Sequence, residues 1–220
     1  MTTTTTLEQR TDAFRRLDEA KLNFAKRDWF PGTSGNLSIR LSGDPLRFAV
    51  TASGKDKTKL TAEDYLIVDG DAVPVEPTSL KPSAETLIHA VVYKRIPEAG
   101  ACFHVHTLGN NLISELYFGQ RAFSIQGQEL IKGLGIWEEN AAITVPIVEN
   151  YADIPKLAAA IDKVITPEVP GVLIRNHGIY AWGKNDFEAK RHLESFEFLF
   201  EYHLRLLQLR SAVAPAQASV

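Results

Sequence analysis

ACFHVHT, residues 101–107, is an apolar segment carrying two histidines two positions apart. In a strand, side chains at i and i+2 share a face, so His104 and His106 project into one space. Neighbouring neutral imidazoles in an apolar wall lack obvious hydrogen-bond partners, whereas a divalent metal would satisfy both. The alternative is two buried histidines bonded to backbone or water, and the pair alone leaves both open. His177 could close a three-histidine site, because Asn176-His177-Gly178 lies between the apolar runs GVLIR and IYAWG. That tripeptide reads as a hairpin with Gly178 in the left-handed position. Three imidazoles leave an open coordination position and favour Zn²⁺, one ion per subunit, although Fe²⁺, Co²⁺, Mn²⁺ and Ni²⁺ share the ligand type. Cys102 lies on the same strand face and could be a further ligand, but a small buried hydrophobe is the favoured reading. His89, His192 and His203 fall on predicted helices without a partner motif and read as structural or surface residues.

Around this segment, strands and helices alternate. Ala13, Leu17, Ala20 and Phe24 have helical spacing within about Leu7 to Asp28, and PGTSGN ends that helix before the short strand LSIR. FAVTAS and YLIVD read as strands, separated by a polar loop in which Thr61 is placed to cap a helical turn before Asp64. Pro82 and Ser83 open a helix to about Arg95. Further helices are expected over about Asn110–Phe118, over DIPKLAAAIDKVI, and from Asp186 to Arg210 with Ala189, Leu193, Phe196, Phe200 and Leu207 on one face. AAITVPIV reads as another strand. Hairpin-joined strands argue against a purely parallel sheet, so a mixed or largely antiparallel sheet with helices on both sides is expected.

The 220 residues, 45% hydrophobic, suit a single α/β domain over 1–220, with unstructured ends at about 1–6 and 212–220. A net charge of −3 gives no nucleic-acid footprint. No apolar run approaches the ~18 residues of a membrane span. The first residues lack the plan of a secretory signal, and one cysteine excludes an internal disulfide, so a cytoplasmic protein is expected.

Two carboxylates invite a chemical role. Glu85 follows KPSA, and Glu129 lies in GQELIKG; each could serve as a general base near a metal or be an ordinary solvated acid. GTSGN (32–36), TASGK (51–55) and KPS (81–83) offer small residues, hydroxyls and backbone N–H groups suited to an anion. None matches the lysine-bearing nucleotide loop.

Taken in order, GTSGNLSIR, TASGKDKTKL, KPSAETLIH, HVHT and RNHGIYAWG resemble the motifs of the class II aldolase/adducin family over about residues 10–207. TASGKDKTKL, GQELIKGLGIWEE, and NHGIYAWG followed by EAKRHLESFEFLFEY are most similar to its dehydratase members. The resemblance implies a three-layer αβα fold with a central mixed, mainly antiparallel sheet, assembled as a homotetramer with sites near subunit boundaries. It implies Zn²⁺ on His104, His106 and His177 and phosphate contacts at Asn36, Ser53, Gly54 and Ser83. Glu129 matches the dehydratase acid/base, and Glu85 matches a metal-side acid/base of the aldolases. The implied activity is dehydration of a methylthio-bearing pentulose phosphate in methionine salvage, with a sugar-phosphate aldolase or 4-epimerase as the alternative. Two departures bear on this: some dehydratases carry cysteine where Glu85 stands, and Ala84 stands where many aldolases have a second serine.

Overall fold

The computed structural model describes residues 6–213. Within them, eight strands form one sheet: β1 (Asn36–Gly43), β2 (Leu46–Thr51), β3 (Tyr65–Asp69), β4 (Ala101–Val105), β5 (Ala122–Gln126), β6 (Ala142–Val148), β7 (Gly171–Ile174) and β8 (Gly178–Gly183). Their order is β3-β2-β1-β4-β8-β7-β6-β5. Only β6 and β7 run parallel; every other neighbouring pair is antiparallel, as expected. Five helices cover the sheet: α1 (Leu7–Ala25), α2 (Thr86–Arg95), α3 (Leu108–Leu116), α4 (Ile154–Asp162) and α5 (Asp186–Val213).

Strand alternation sorts the core into two layers. Phe103 and Val105 of β4 pack with Leu17 and Phe24 of α1 and Phe196 and Phe200 of α5. Cys102 packs on the opposite face with Ile88 of α2, Ile161 of α4 and Trp182. The three-layer αβα arrangement follows. In α1 the buried residues include Ala13, Leu17, Ala20 and Phe24, and Thr6 closes a capping box with Gln9. Ala189, Leu193, Phe196 and Phe200 of α5 are buried, but Leu207 is 37% exposed, in a part of the helix where no residue after Phe200 is buried.

Several local expectations are corrected. α2 begins at Thr86 rather than at Pro82. Ser83 N–H donates to the Thr51 carbonyl at 3.1 Å and Ser53 N–H to Lys81 at 2.8 Å, so 81–83 extend along the end of β2. Residues 61–64 form no helix: the Thr61 hydroxyl and N–H bind the Asp64 carboxylate at 2.7 and 2.8 Å and close a turn. β5 arises where no strand is expected, since only Phe123 of its five residues is buried. The expected unstructured ends lie outside the described residues, except that Thr6 caps α1 and Ala212 and Val213 belong to α5. Among the described residues no helix is long and apolar enough to cross a membrane.

Asp64 serves a second purpose. Its Oδ2 lies 2.6 Å from Lys21 Nζ, and both side chains are 1% exposed. Removing one partner of such a pair strands the other charge in the core. Asp64→Ala is expected to lower unfolding free energy by about 3–5 kcal/mol in urea titration, whereas cutting the exposed Arg10–Glu76 pair is expected to cost under about 1 kcal/mol.

Candidate metal centre and active site

β4 and the turn after it carry His104 and His106, and the turn between β7 and β8 carries His177. Ligating nitrogens of the three lie within 4.8 Å of one another. Register explains the arrangement. Asn36 of β1 and Tyr180 of β8 stand directly opposite His104 on either side, forming one row across three strands. The Tyr180 ring stacks on His104 with centroids 4.1 Å apart and planes 10° from parallel.

Second partners orient the imidazoles. His104 Nδ1–H donates to the Ile179 carbonyl at 2.9 Å, which leaves the Nε2 lone pair free. His177 Nδ1–H likewise donates to Asn150 Oδ1 at 3.1 Å. Burial, outweighing the nearby Glu85 carboxylate, pushes His104 down to about 4. Burial together with the other two histidines takes His106 to about 3. Both are therefore neutral at pH 7, the form that ligates metal. His104 Nε2 and His106 Nε2 lie only 2.8 Å apart. Such nitrogens need a proton or a cation between them, and three converging imidazoles fit a divalent metal with an open position.

Gly178 makes this approach possible, for a different reason from the one expected. The left-handed residue of the turn is Asn176, with φ 49°. A Cβ at Gly178 would sit 2.5 Å from the Val105 carbonyl oxygen, 2.8 Å from His104 Cε1 and 3.0 Å from His106 Cδ2. Glycine is required there by contact, not by backbone conformation. Cys102 takes no part in the cluster and packs in the core, where burial pushes its thiol far up.

Glu85 points into the same space. Its Oε1 is 3.0 Å from His177 Nε2 and its Oε2 3.3 Å from His104 Nε2. Asn36 Nδ2–H donates to Oε2 at 2.8 Å and the Tyr180 hydroxyl at 3.2 Å. Burial alone would raise this carboxyl, but His104, His177 and Asn36 outweigh it and hold Glu85 well below the ordinary carboxylate range. Behind Asn36, His89 Nε2–H donates to its Oδ1, while His89 Nδ1 accepts from Ser38 Oγ at 2.7 Å. His89 therefore has partners that no motif around it announces. Its spacing of four from Glu85, one turn of α2, is the available signal. Asn150, Tyr180 and Ile179 also escape sequence reasoning, because no short motif marks a residue that orients a ligand from a different strand or loop.

Asn36, Ser53, Gly54 and Ser83 come together around one cavity of about 340 Å³, which Glu85, His106 and His177 also line. Glu129 does not join them on its own chain. It lies in the short helical turn 129–134, largely exposed, paired with Lys132 at 2.8 Å and lining another cavity. His192 Nδ1–H donates to the Trp182 carbonyl and His203 meets the Tyr117 hydroxyl, both away from the metal cluster.

A three-layer αβα fold with a three-histidine cluster at the ends of central strands defines the class of protein. Residues 15–204 match the family described as Class II Aldolase and Adducin N-terminal domain, and the chain belongs to that family. The methylthioribulose-1-phosphate dehydratase of Bacillus subtilis strain 168 is 58% identical over 199 residues, covering 90% of this chain and 95% of that one. Its counterpart of the same name from Persephonella marina is 55% identical over 195 residues, covering 89% and 90%. Among solved structures, L-fuculose-1-phosphate aldolase from Thermus thermophilus superposes with a TM-score of 0.69 at 23% identity, covering 90% of this chain and 98% of that one. A sugar-phosphate aldolase from Thermotoga maritima gives 0.67 at 20%, covering 91% and 97%. These two structural likenesses speak to the fold alone.

His106→Ala removes one of three nitrogen donors. Metal content measured by inductively coupled plasma mass spectrometry is expected to fall from near one ion per chain to a small fraction of that. Full occupancy in this variant would place the metal elsewhere.

Proposed function

We propose that this chain is a zinc-dependent hydro-lyase that converts 5-methylthioribulose 1-phosphate to 5-methylthio-2,3-dioxopentyl phosphate, a step of methionine salvage. The observation that carries the reading is identity above one half, across about nine-tenths of the chain, to dehydratases of that name, with three histidines clustered together and two of them, His106 and His177, lining one cavity. We further propose that the enzyme works as a cytoplasmic homotetramer.

His104, His106 and His177 hold the zinc in this scheme, and the ion supplies Lewis acidity toward the substrate's carbonyl and hydroxyl oxygens. Asn36, Ser53, Gly54 and Ser83 anchor the phosphate so that C3 and C4 keep a fixed orientation; such positioning can remove several kcal/mol of barrier. Glu129 takes the C3 proton and, once protonated, returns a proton to the departing C4 hydroxyl, which leaves as water. Tautomerisation of the resulting enol gives the 2,3-diketone. Glu85 is already committed to Asn36, Tyr180 and two imidazoles, so it keeps its charge and orients those groups instead of shuttling the proton.

Glu129 lines a cavity separate from the histidines of its own chain. In the proposed tetramer it acts at the site of a neighbouring copy. Exposed Leu108, Leu112 and Leu116, spaced four apart along α3, and exposed Trp137 suit such an assembly.

Incubation of the zinc-loaded protein with 5-methylthioribulose 1-phosphate is expected to give a product lighter by one water in mass spectrometry. Cleavage into two carbon fragments would overturn dehydration in favour of retro-aldol chemistry. Glu129→Gln is expected to keep zinc and fold while losing at least about a hundredfold in kcat. Mixing and reassembling Glu129→Gln with His106→Ala subunits is expected to restore part of the activity, since some sites then combine three histidines with an intact glutamate. No recovery after verified reassembly would place Glu129 and the metal within one chain's site.

A further inference from the structure

Lys57 lines the same cavity as His106, His177 and Glu85, and the proton chemistry above leaves it without a task. Its neighbours are ordinary: Lys55 pairs with Glu63 at 2.6 Å and Lys59 with Asp56 at 3.2 Å. Lys57 is only 6% exposed. Its Nζ donates to the Thr33 carbonyl at 2.9 Å, and among the described residues it forms no ion pair. An ammonium has three protons, so two remain. Burial, reinforced by the nearby Lys21 charge, lowers its pKa.

Ser34 supplies an independent observation. Its Oγ is buried without a hydrogen-bond partner among the described residues and lines the same cavity. A buried hydroxyl of this kind awaits a ligand atom or water. Ser34 directly follows the residue that Lys57 holds, within a turn where Gly32, Thr33 and Gly35 have φ of 61°, 63° and 79°. Lysine and serine thus converge on one side of the cavity. The phosphate contacts already named, Asn36, Ser53, Gly54 and Ser83, are all uncharged. Among the described residues no other lysine and no arginine lines the cavity.

We propose that Lys57, with the Ser34 hydroxyl beside it, is the charged contact for the substrate's phosphate group and sets the preference for a phosphorylated over a free sugar. This rests on the sugar-phosphate reading of the site. One ammonium proton stays on the Thr33 carbonyl while the others donate to phosphate oxygens, as charge-assisted bonds.

The competing role is a latch that only ties down the Thr33 turn, and the two differ in what inorganic phosphate reports. In the zinc-loaded protein, Lys57→Met and Lys57→Gln are expected to weaken inorganic phosphate binding, followed by ³¹P NMR, about ten- to a hundredfold. KM for the ketose phosphate should rise by a similar factor, with kcat changed less and zinc content retained. Lys57→Arg keeps the charge and is expected to recover most of the phosphate affinity; Ser34→Ala should lose about fivefold. Neutral variants that bind inorganic phosphate as wild type does would overturn the assignment. So would an arginine variant no better than methionine. Should the neutral variants fail to fold, a crystal structure of the wild-type zinc enzyme with inorganic phosphate decides: a phosphate oxygen within hydrogen-bond reach of Nζ supports the proposal, and phosphate bound elsewhere overturns it. A wild-type protein that binds phosphate through Lys57 yet leaves the ketose phosphate unchanged would overturn the dehydration and keep the lysine. Full turnover with an indifferent Lys57→Met would do the reverse.

Discussion

The pairing of β1, β4 and β8 is the constraint on which the site depends. It places Asn36, His104 and Tyr180 in one row on one face of the sheet. A slip of one residue in β4 would turn His104 and His106 into the layer occupied by Phe103 and Val105. That layer is filled by apolar side chains of α1 and α5, among them Leu17, Phe24, Phe196 and Phe200. The register is therefore fixed by hydrophobic packing, and the metal-binding geometry comes with it.

The same row explains why the site is rigid. Tyr180 stacks on His104 and donates to Glu85, and Asn36 donates to Glu85 while accepting from His89. Each polar group in this chain of contacts has a partner, so rotating one side chain would leave several others unsatisfied in a buried setting. His89 connects through Ser38 to Tyr93, and the hydrogen bonds thereby reach from the cavity into the core under α2. The orientation of the clustered histidines is set by residues outside the cluster.

Much of this is legible in the sequence, for physical reasons. The period-2 spacing of His104 and His106 survives in any strand, and the amphipathic faces of α1 and α5 follow from burial against a sheet. What cannot be read is either weakly patterned or long-range. β5 buries one side chain of five, so it carries no hydrophobic alternation. Lys21 sits on α1 among residues that look solvated, and only the fold brings it to Asp64, 43 positions away. Gly178 stands out in the sequence, but for the wrong cause: a sequence shows that a turn needs glycine without showing whether conformation or contact demands it. Glu129 is recognisable by resemblance, yet its distance from the histidine cavity is a property of chain packing that no local motif encodes.

The charges of the cavity give a reason for its composition. A phosphate monoester carries nearly two negative charges near neutral pH, since its second pKa is about 6. Glu85 adds a third, held by its neighbours in the ionised form. In the proposed site a divalent ion on the three histidines and the ammonium of Lys57 would supply three positive charges in return. Removing any one of these partners leaves uncompensated charge in a partly buried space, where it costs far more than at the surface. In the proposed site a neutral sugar would leave Lys57 without an anion, and the phosphate would have a role beyond anchoring: offsetting the two positive charges of the ion that remain once the lysine and carboxylate cancel.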